Sequence, residues 1–221
     1  MRMLAEILEA SAARHSHLCP KQVLGARMGM LAGRLLAIDL PQSDKRLLVI
    51  LETDGCMADG LSVATGCTVG HRTLRVEDYG KVAATFVDTH SERAVRIVPR
   101  AEARTLAVDY ANDAQGRWQK QLLGYQRMPD ELLLAWRDVR LVASIASIVS
   151  RPHVREVCRD CGEEIINQRE VVRDGVVLCR ACADGAYYSA EIGHGAHVLG
   201  TADDSHARPE SPASSLTAAH S

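Results

Sequence analysis

The chain has 221 residues, 47% of them hydrophobic, which leaves room for one domain of ordinary size and a small second one. With one Phe and two Trp, its core must be aliphatic. A formal charge of −2 argues against a polyanion as bulk electrostatic partner. No run approaches the roughly 18 apolar residues of a membrane span, and Glu6 and Glu9 interrupt the one apolar stretch near the start, so nothing there reads as a signal peptide. Four of the seven cysteines stand in two C-x-x-C units, which fits metal binding in a reducing cytosol better than disulfides. A soluble, cytoplasmic protein is expected.

Arg2 to Arg14 carries Met3, Leu4, Ile7 and Leu8 at helical spacing with glutamates opposite, an amphipathic helix. His15-Ser16-His17-Leu18-Cys19-Pro20 follows, with three potential ligands in five residues. His15 and His17 share a side only in an extended segment, so a pre-helical loop suits them. Pro20 belongs at the first position of the next helix, with Cys19 beside its N-cap. Imidazoles and a thiolate suit zinc or another borderline metal; exposed loop histidines are the bland alternative. From Pro20 to about Ala37 the helix has two stripes. Leu24, Met28, Leu31 and Leu35 face a core, and Gly25, Gly29 and Gly33 recur every fourth residue. Each glycine costs about 1 kcal/mol relative to Ala, so close approach of another backbone is expected there. The contact predicted is a tight helix pair, between two subunits as one option. The alternative is packing beneath a strand of the same chain.

Leu47 to Leu51, five aliphatic residues, reads as a short strand buried on both faces. Glu52-Thr53-Asp54-Gly55 turns the chain, and Cys56 opens a helix over Met57 to Thr65 that Gly66 closes. The helix start favours a thiolate at Cys56, a candidate ligand or nucleophile. Cys67 follows the helix, about 16 Å away along a straight axis at about 1.5 Å per residue, so a shared site requires the loop to fold back. Both thiols read equally well as buried small hydrophobes.

Val82 to Asp88 and Arg93 to Val98 are strand candidates joined by a hairpin loop, Thr89 to Glu92. Arg100 to Gln126 reads as mostly helical, interrupted near Asn112 to Gly116. Met128-Pro129-Asp130-Glu131 starts another helix, with acids in its first turn. Val139 to Val149 fits helix or strand, and Arg151-Pro152 is the expected domain boundary.

Cys158-x-x-Cys161 and Cys179-x-x-Cys182 have the spacing of a four-thiolate structural zinc site. Gly162 allows the knuckle, Ile165 and Ile166 begin a strand, and Asp174-Gly175 turns a hairpin. Ala181 to Tyr188 reads as a short helix, and the whole as a treble clef. Four thiolates leave no open position for catalysis. From Arg151 to Tyr188, six arginines and no lysine face seven acids, a net −1 that lacks the basic footprint nucleic acid needs. Beyond Ile192 the pattern reads as a disordered tail, in which His194 and His197 are incidental.

His15-Ser16-His17-Leu18-Cys19-Pro20 resembles the HGHLCPG signature of the FmdE family, named for a component of formylmethanofuran dehydrogenase. Glu52-Thr53-Asp54-Gly55-Cys56 with Asp59, Gly66-Cys67-Thr68-x-Gly70 and Asp78-Tyr79-Gly80-Lys81 match its later motifs in the same order. The resemblance spans roughly residues 10 to 137. It implies an α+β, FmdE-like core over 1–152, a treble-clef zinc finger over 153–190 and a tail over 191–221. It also implies a homodimer and a core metal or ligand site made by His15, His17, Cys19 and Cys56, with Asp59, Cys67 and Lys81 as further candidates. Ser16 and Lys21 replace the usual glycines of the first motif, and His71-Arg72 replaces a lysine-containing turn.

Three functions compete. The first is a metal-binding accessory or redox protein of molybdenum or tungsten formyl- or formate-type dehydrogenases, with zinc in the finger, a second metal in the core and dehydrogenase subunits as partners. The second is a regulator or adaptor whose core senses a metal or small ligand while its finger contacts a protein. The third makes Cys56, with His17 and Cys19, a catalytic group for acyl or thiol chemistry; with no orienting third residue, it ranks last.

Overall fold

The computed structural model describes residues 2–149 and 153–189, and of His15 the backbone alone. The expected boundary at Arg151-Pro152, the tail from 191 and its two histidines lie outside the described residues.

Two helices open the chain. α1 (Leu4–His15) buries Ile7 and Leu8 and leaves Glu6 and Glu9 in solvent. Ser16, at φ 64°, ends it in the left-handed region, so His15 is the last helical residue, not part of an extended loop. α2 (Pro20–Leu36) starts with Pro at its first turn and Cys19 as N-cap. The Cys19 N–H donates to Gln22 Oε1 at 2.6 Å. The amide nitrogen of the fully buried Gln22 donates to the Ser11 carbonyl and hydroxyl at 3.2 and 3.0 Å. One side chain thus caps α2 and ties it to α1.

β1 (Leu47–Leu51), α3 (Cys56–Thr65) and β2 (Leu74–Val76) form a parallel crossover, with Val49 opposite Leu74. β3 (Ala84–Asp88) and β4 (Ala94–Pro99) pair as a hairpin. Buried Asp88 organises their loop. Its carboxylate accepts the His90 N–H at 3.1 Å, the Ser91 hydroxyl at 2.8 Å and two bonds from Arg46 at 3.1 Å. Arg46 holds this carboxyl well below the usual carboxylate range, with Ser91 and His90 assisting.

The helical reading of Arg100 to Gln126 contracts to α4 (Ala103–Leu106) and α5 (Gly116–Arg127), with turns between. The helix expected from Met128 is a single turn, α6 (Asp130–Leu133), and gives way to β5 (Leu134–Val139). β5 pairs with β4, Leu134 opposite Pro99 and Val139 opposite Ala94. Pairing offered by an exposed sheet edge outweighs helical propensity at this point. The ambiguous segment from Val139 to Val149 divides, with Val139 ending β5 and its last five residues forming α7 (Ile145–Val149).

The sheet runs β2-β1-β3-β4-β5. Alternation along each strand sends Val49, Leu51, Phe86 and Ile97 into the main core with α1, α2 and α3. Leu48, Val87 and Ala94 form a smaller cluster under Val139, Leu141, Ile145 and Ile148. Arg27 on α2 caps the end of α5, donating to the Tyr125, Gln126 and Met128 carbonyls and to Asp130.

The glycine stripe meets α3 of the same chain. A Cβ on Gly25 would sit 2.9 Å from the Leu61 nitrogen and closer still to the Met57 carbonyl oxygen; one on Gly29 would sit 2.8 Å from Ala64 Cβ. Gly60 of α3 answers them, since its Cβ would sit 2.8 Å from the Gln22 carbonyl carbon. Two helices of one chain therefore fill the stripe, which corrects both the intersubunit option and the strand alternative. Gly33 faces Leu40 and Ile38 instead.

In the C-terminal unit, β6 (Arg155–Val157) pairs with β7 (Glu164–Ile166), β8 (Val171–Arg173) with β9 (Val176–Leu178), and α8 (Arg180–Asp184) follows. Gly162 at φ 73° and the Asp174-Gly175 turn, both at positive φ, lie where expected. α8 is shorter than the helix predicted to Tyr188.

Candidate functional site

Local structure carries Cys19 and Cys56 toward each other. Each stands at the start of a helix, Cys19 as the N-cap of α2 and Cys56 as the first residue of α3. The α2–α3 contact brings these starts together, so that both thiols line one cleft and Cys19 feels its neighbour. Burial pushes the Cys19 thiol up, and its neighbour Cys56 pushes it further. Backbone N–H groups at Gln22 and Lys21 oppose that rise. Position at a helix start thus does not by itself make Cys19 a thiolate; burial wins.

Both cysteines line a cleft of about 770 Å³, within the usual range for small-ligand sites, about 300–1,000 Å³. Lys81 lines it too, its ammonium 5.8 Å from the Tyr79 ring centroid. Two motifs remote in sequence are laced together here. The Glu52 carbonyl accepts the N–H groups of Tyr79 and Lys81 at 2.9 and 3.1 Å, and the Glu52 N–H donates to Ala83 at 3.0 Å. The buried Glu52 carboxylate takes both arms of Arg96, at 2.5 and 2.6 Å. This pairing lowers the Glu52 carboxyl pKa despite burial.

The remaining predicted residues scatter. Cys67 is buried, and its thiol donates to the Leu47 carbonyl at 3.4 Å, at the entrance of β1 rather than at its exit beside Cys56. Burial raises its pKa. The loop does not fold back, and Cys67 does not join the pair. Asp59 is half-buried in the first turn of α3, and His17 is exposed in the loop before α2; among the described residues the cleft lining includes neither. The His15 imidazole lies outside the described residues.

Sequence reasoning missed Arg96, Arg100, Arg104, Trp118 and Tyr125, all of which line the cleft. One signal existed. Arg96 interrupts the apolar run Ala94-Val95-Arg96-Ile97-Val98, and the acid of Glu52-Thr53-Asp54-Gly55-Cys56 needed a cation.

Among the described residues, one group of three or more ligating side chains has atoms close enough for a metal. It is Cys158, Cys161, Cys179 and Cys182, all within 4.8 Å of one another. Tetrahedral zinc with sulfurs at about 2.3 Å requires sulfurs about 3.8 Å apart, and Cys161 and Cys179 are 3.9 Å apart. The Cys179 N–H donates to Cys158 Sγ at 3.2 Å and the Cys182 N–H to Cys179 Sγ at 3.4 Å. Backbone N–H groups, that of Cys161 foremost, pull the Cys158 thiol down to about 6, and neighbouring thiols push Cys182 up. The donor set fits zinc.

No described helix is long and apolar enough to cross a membrane. A curated relative from Archaeoglobus fulgidus, named a probable S-adenosyl-L-methionine-binding protein, is 28% identical over 201 residues, 82% of this chain and 53% of the relative. The chain thus spans about half the length of that relative. A solved structure, described as a tungsten formylmethanofuran dehydrogenase FmdE-like protein from Syntrophus aciditrophicus, aligns with a TM-score of 0.54 at 23% identity, over 84% of this chain and 95% of that one. That likeness speaks for the fold. Residues 153–188 match the family of prokaryotic dksA/traR C4-type zinc fingers. Residues 14–135, more than half of the chain, match the family described as FmdE, molybdenum formylmethanofuran dehydrogenase operon, and the chain belongs to the FmdE family.

Proposed function

We propose that this protein is an accessory to formylmethanofuran dehydrogenase-type metabolism, and that its working site is the cleft holding Cys19 and Cys56. The observation that carries this reading is that two helix starts, each bearing a cysteine, line one large cleft. A thiol pair is a soft donor set, suited to zinc, iron or a heavier metal. His17 and His15, from the loop and helix end beside Cys19, are the residues proposed to complete it. Fewer than four protein ligands would leave a position open for a substrate or a partner's group. The metal would supply Lewis-acid or redox chemistry. The chain's own part is to hold two sulfurs together, shield Cys19 from water and present cations around them. Without metal, an external disulfide reagent would join the pair as a disulfide, itself taking up the two electrons and two protons to become two thiols, so a redox role would use the same residues.

The finger is proposed as a structural treble clef. It pairs a knuckle and hairpins with a helix that supplies the last ligand, and it is too saturated with thiolates for catalysis. Homodimerisation is proposed from the family resemblance, and a cytoplasmic location from a four-cysteine cluster suited to metal rather than to disulfides.

Metal analysis on the full chain tests the core reading. Wild type should hold two metals per chain, Cys179→Ser should lose one, and Cys56→Ser should lose the other while keeping the finger's. A wild-type protein with a single metal, lost completely in Cys179→Ser, would exclude the core metal.

The adaptor reading has one observation in its favour. Val157, Ile166 and Val172 of the finger are 62%, 50% and 62% exposed, on a unit whose net charge disfavours nucleic acid. Selective capture of a dehydrogenase component that depends on the cleft cysteines would argue for the accessory role instead.

A further inference from the structure

Beyond its two thiols, the cleft has a strong charge bias. Five of its lining residues are cations, Lys21, Lys81, Arg96, Arg100 and Arg104, and no acid lines it among the described residues. Arg96 is neutralised by Glu52, which leaves four cations in a concave site on a chain whose overall charge is −2. A concave, low-dielectric surface lined with one sign of charge concentrates ligands of the opposite sign. Local sequence does not demand this excess, because the four residues come from three separate segments: the start of α2, the turn before β3, and the stretch from β4 into α4.

A helix face with two aromatic residues completes the lining. Trp118, Gln121 and Tyr125 lie three and four residues apart on α5 and all face the cleft. That spacing places them on one helix face. Trp118 is 52% exposed, which leaves its indole accessible to a stacking partner. Leu24, Val82 and Val98 continue the apolar lining.

From these features, and resting on the reading that this cleft is the working site, we infer that it binds a small ligand with two or more negative charges and a planar ring. The anionic groups, phosphate or carboxylate, meet Lys21, Lys81, Arg100 and Arg104. Arginine offers paired donors to either oxyanion. The ring lies against Trp118. A sulfonium cation such as S-adenosylmethionine, suggested by the relative's name, meets the wrong sign of charge here.

The test uses the full-length chain carrying Trp136→Phe, so that Trp118 alone reports by fluorescence. The probes are ADP, benzene-1,3,5-tricarboxylate, adenosine, pyrophosphate and S-adenosylmethionine. ADP or the tricarboxylate should quench Trp118 saturably, more weakly as salt rises, and whichever binds tighter names the anionic group. Adenosine and S-adenosylmethionine should bind at least about tenfold more weakly, and pyrophosphate should compete without quenching. Arg100→Gln with Arg104→Gln should weaken the anionic probe by about tenfold or more at unchanged melting temperature. Lys21→Gln supplies the same test on a different segment. Equal binding of adenosine and ADP, or no saturable response to either anionic probe in folded protein, overturns the inference. Metal content, measured on the same samples, separates the two claims. Two metals with no anion binding would sink this inference alone, and anion binding with only the finger's metal would sink the core metal alone.

Discussion

Gly25→Ala adds one methyl group where α2 meets α3, and its effect can be worked from the structure. The new Cβ would lie 2.9 Å from the Leu61 nitrogen and nearer to the Met57 carbonyl oxygen, whereas comfortable contact needs about 3.5 Å or more. Both obstacles are helical backbone, so no side chain can rotate away and the helices must part by roughly 1 Å. Overpacking of this kind costs about 1–3 kcal/mol, and rigid obstacles place it at the upper end. The exchange recovers about 1 kcal/mol of helix propensity, for a net loss of about 2 kcal/mol. With a urea m-value of about 2 kcal/mol/M, that lowers the midpoint by about 1 M. Urea titration followed by circular dichroism measures it. Gly60→Ala should behave alike, because its Cβ meets the Gln22 backbone. Gly29→Ala should cost less, because its nearest neighbours, Ala64 Cβ at 2.8 Å and Thr65 Cγ2 at 3.0 Å, leave a smaller overlap. In addition, oxidation of Cys19 and Cys56 to a disulfide should slow in Gly25→Ala as the helix starts splay. A variant as stable as wild type, or more so, would refute the close contact.

Cys179→Ser should leave residues 153–189 open to protease while the core resists, since metal supplies much of so small a unit's stability; limited proteolysis decides this. Asp88→Asn should cost about 2 kcal/mol at neutral pH, a typical value for charged hydrogen bonds. Because the folded carboxyl is held below its unfolded value of about 3.9, its stabilisation is present above that pH and fades as pH falls. The gap between wild type and variant in denaturation midpoint should therefore narrow below about pH 4. Arg27→Met should destabilise by about 2 kcal/mol, a typical value for hydrogen bonds to a charged group, by leaving the carbonyls that end α5 without their donor while Arg34 still pairs with Asp130, read as a lowered urea midpoint.

Much of this architecture is legible in local signals. The aliphatic run Leu47 to Leu51, the Pro20 start of α2 and the Gly66 stop of α3 each specify an element within a few residues, and structure and sequence agree there. The pairs Cys158/Cys161 and Cys179/Cys182 likewise announce their cluster through spacing alone. Failure begins where a distant segment decides. Leu134 to Val139 follows a helix start and becomes a strand because β4 offers an edge. The glycines of α2 announce a close neighbour but not which one. Arg100, Arg104 and Trp118 carry no motif, so their convergence with Cys56 is a property of the fold and is invisible along the chain.

Gln22 places a limit on how this fold can vary in length. Its side chain caps the Cys19 N–H, and its carbonyl is the surface that Gly60 must clear. Gly60 lies four residues after Cys56, just over one helical turn. A single residue inserted between Cys56 and Gly60, or between Cys19 and Gln22, would rotate one thiol by about 100° around its helix while the glycine contact stayed fixed. The two sulfurs would then face different directions in a protein that is otherwise folded. Chains that keep the thiol pair should therefore allow no insertion in these two short intervals.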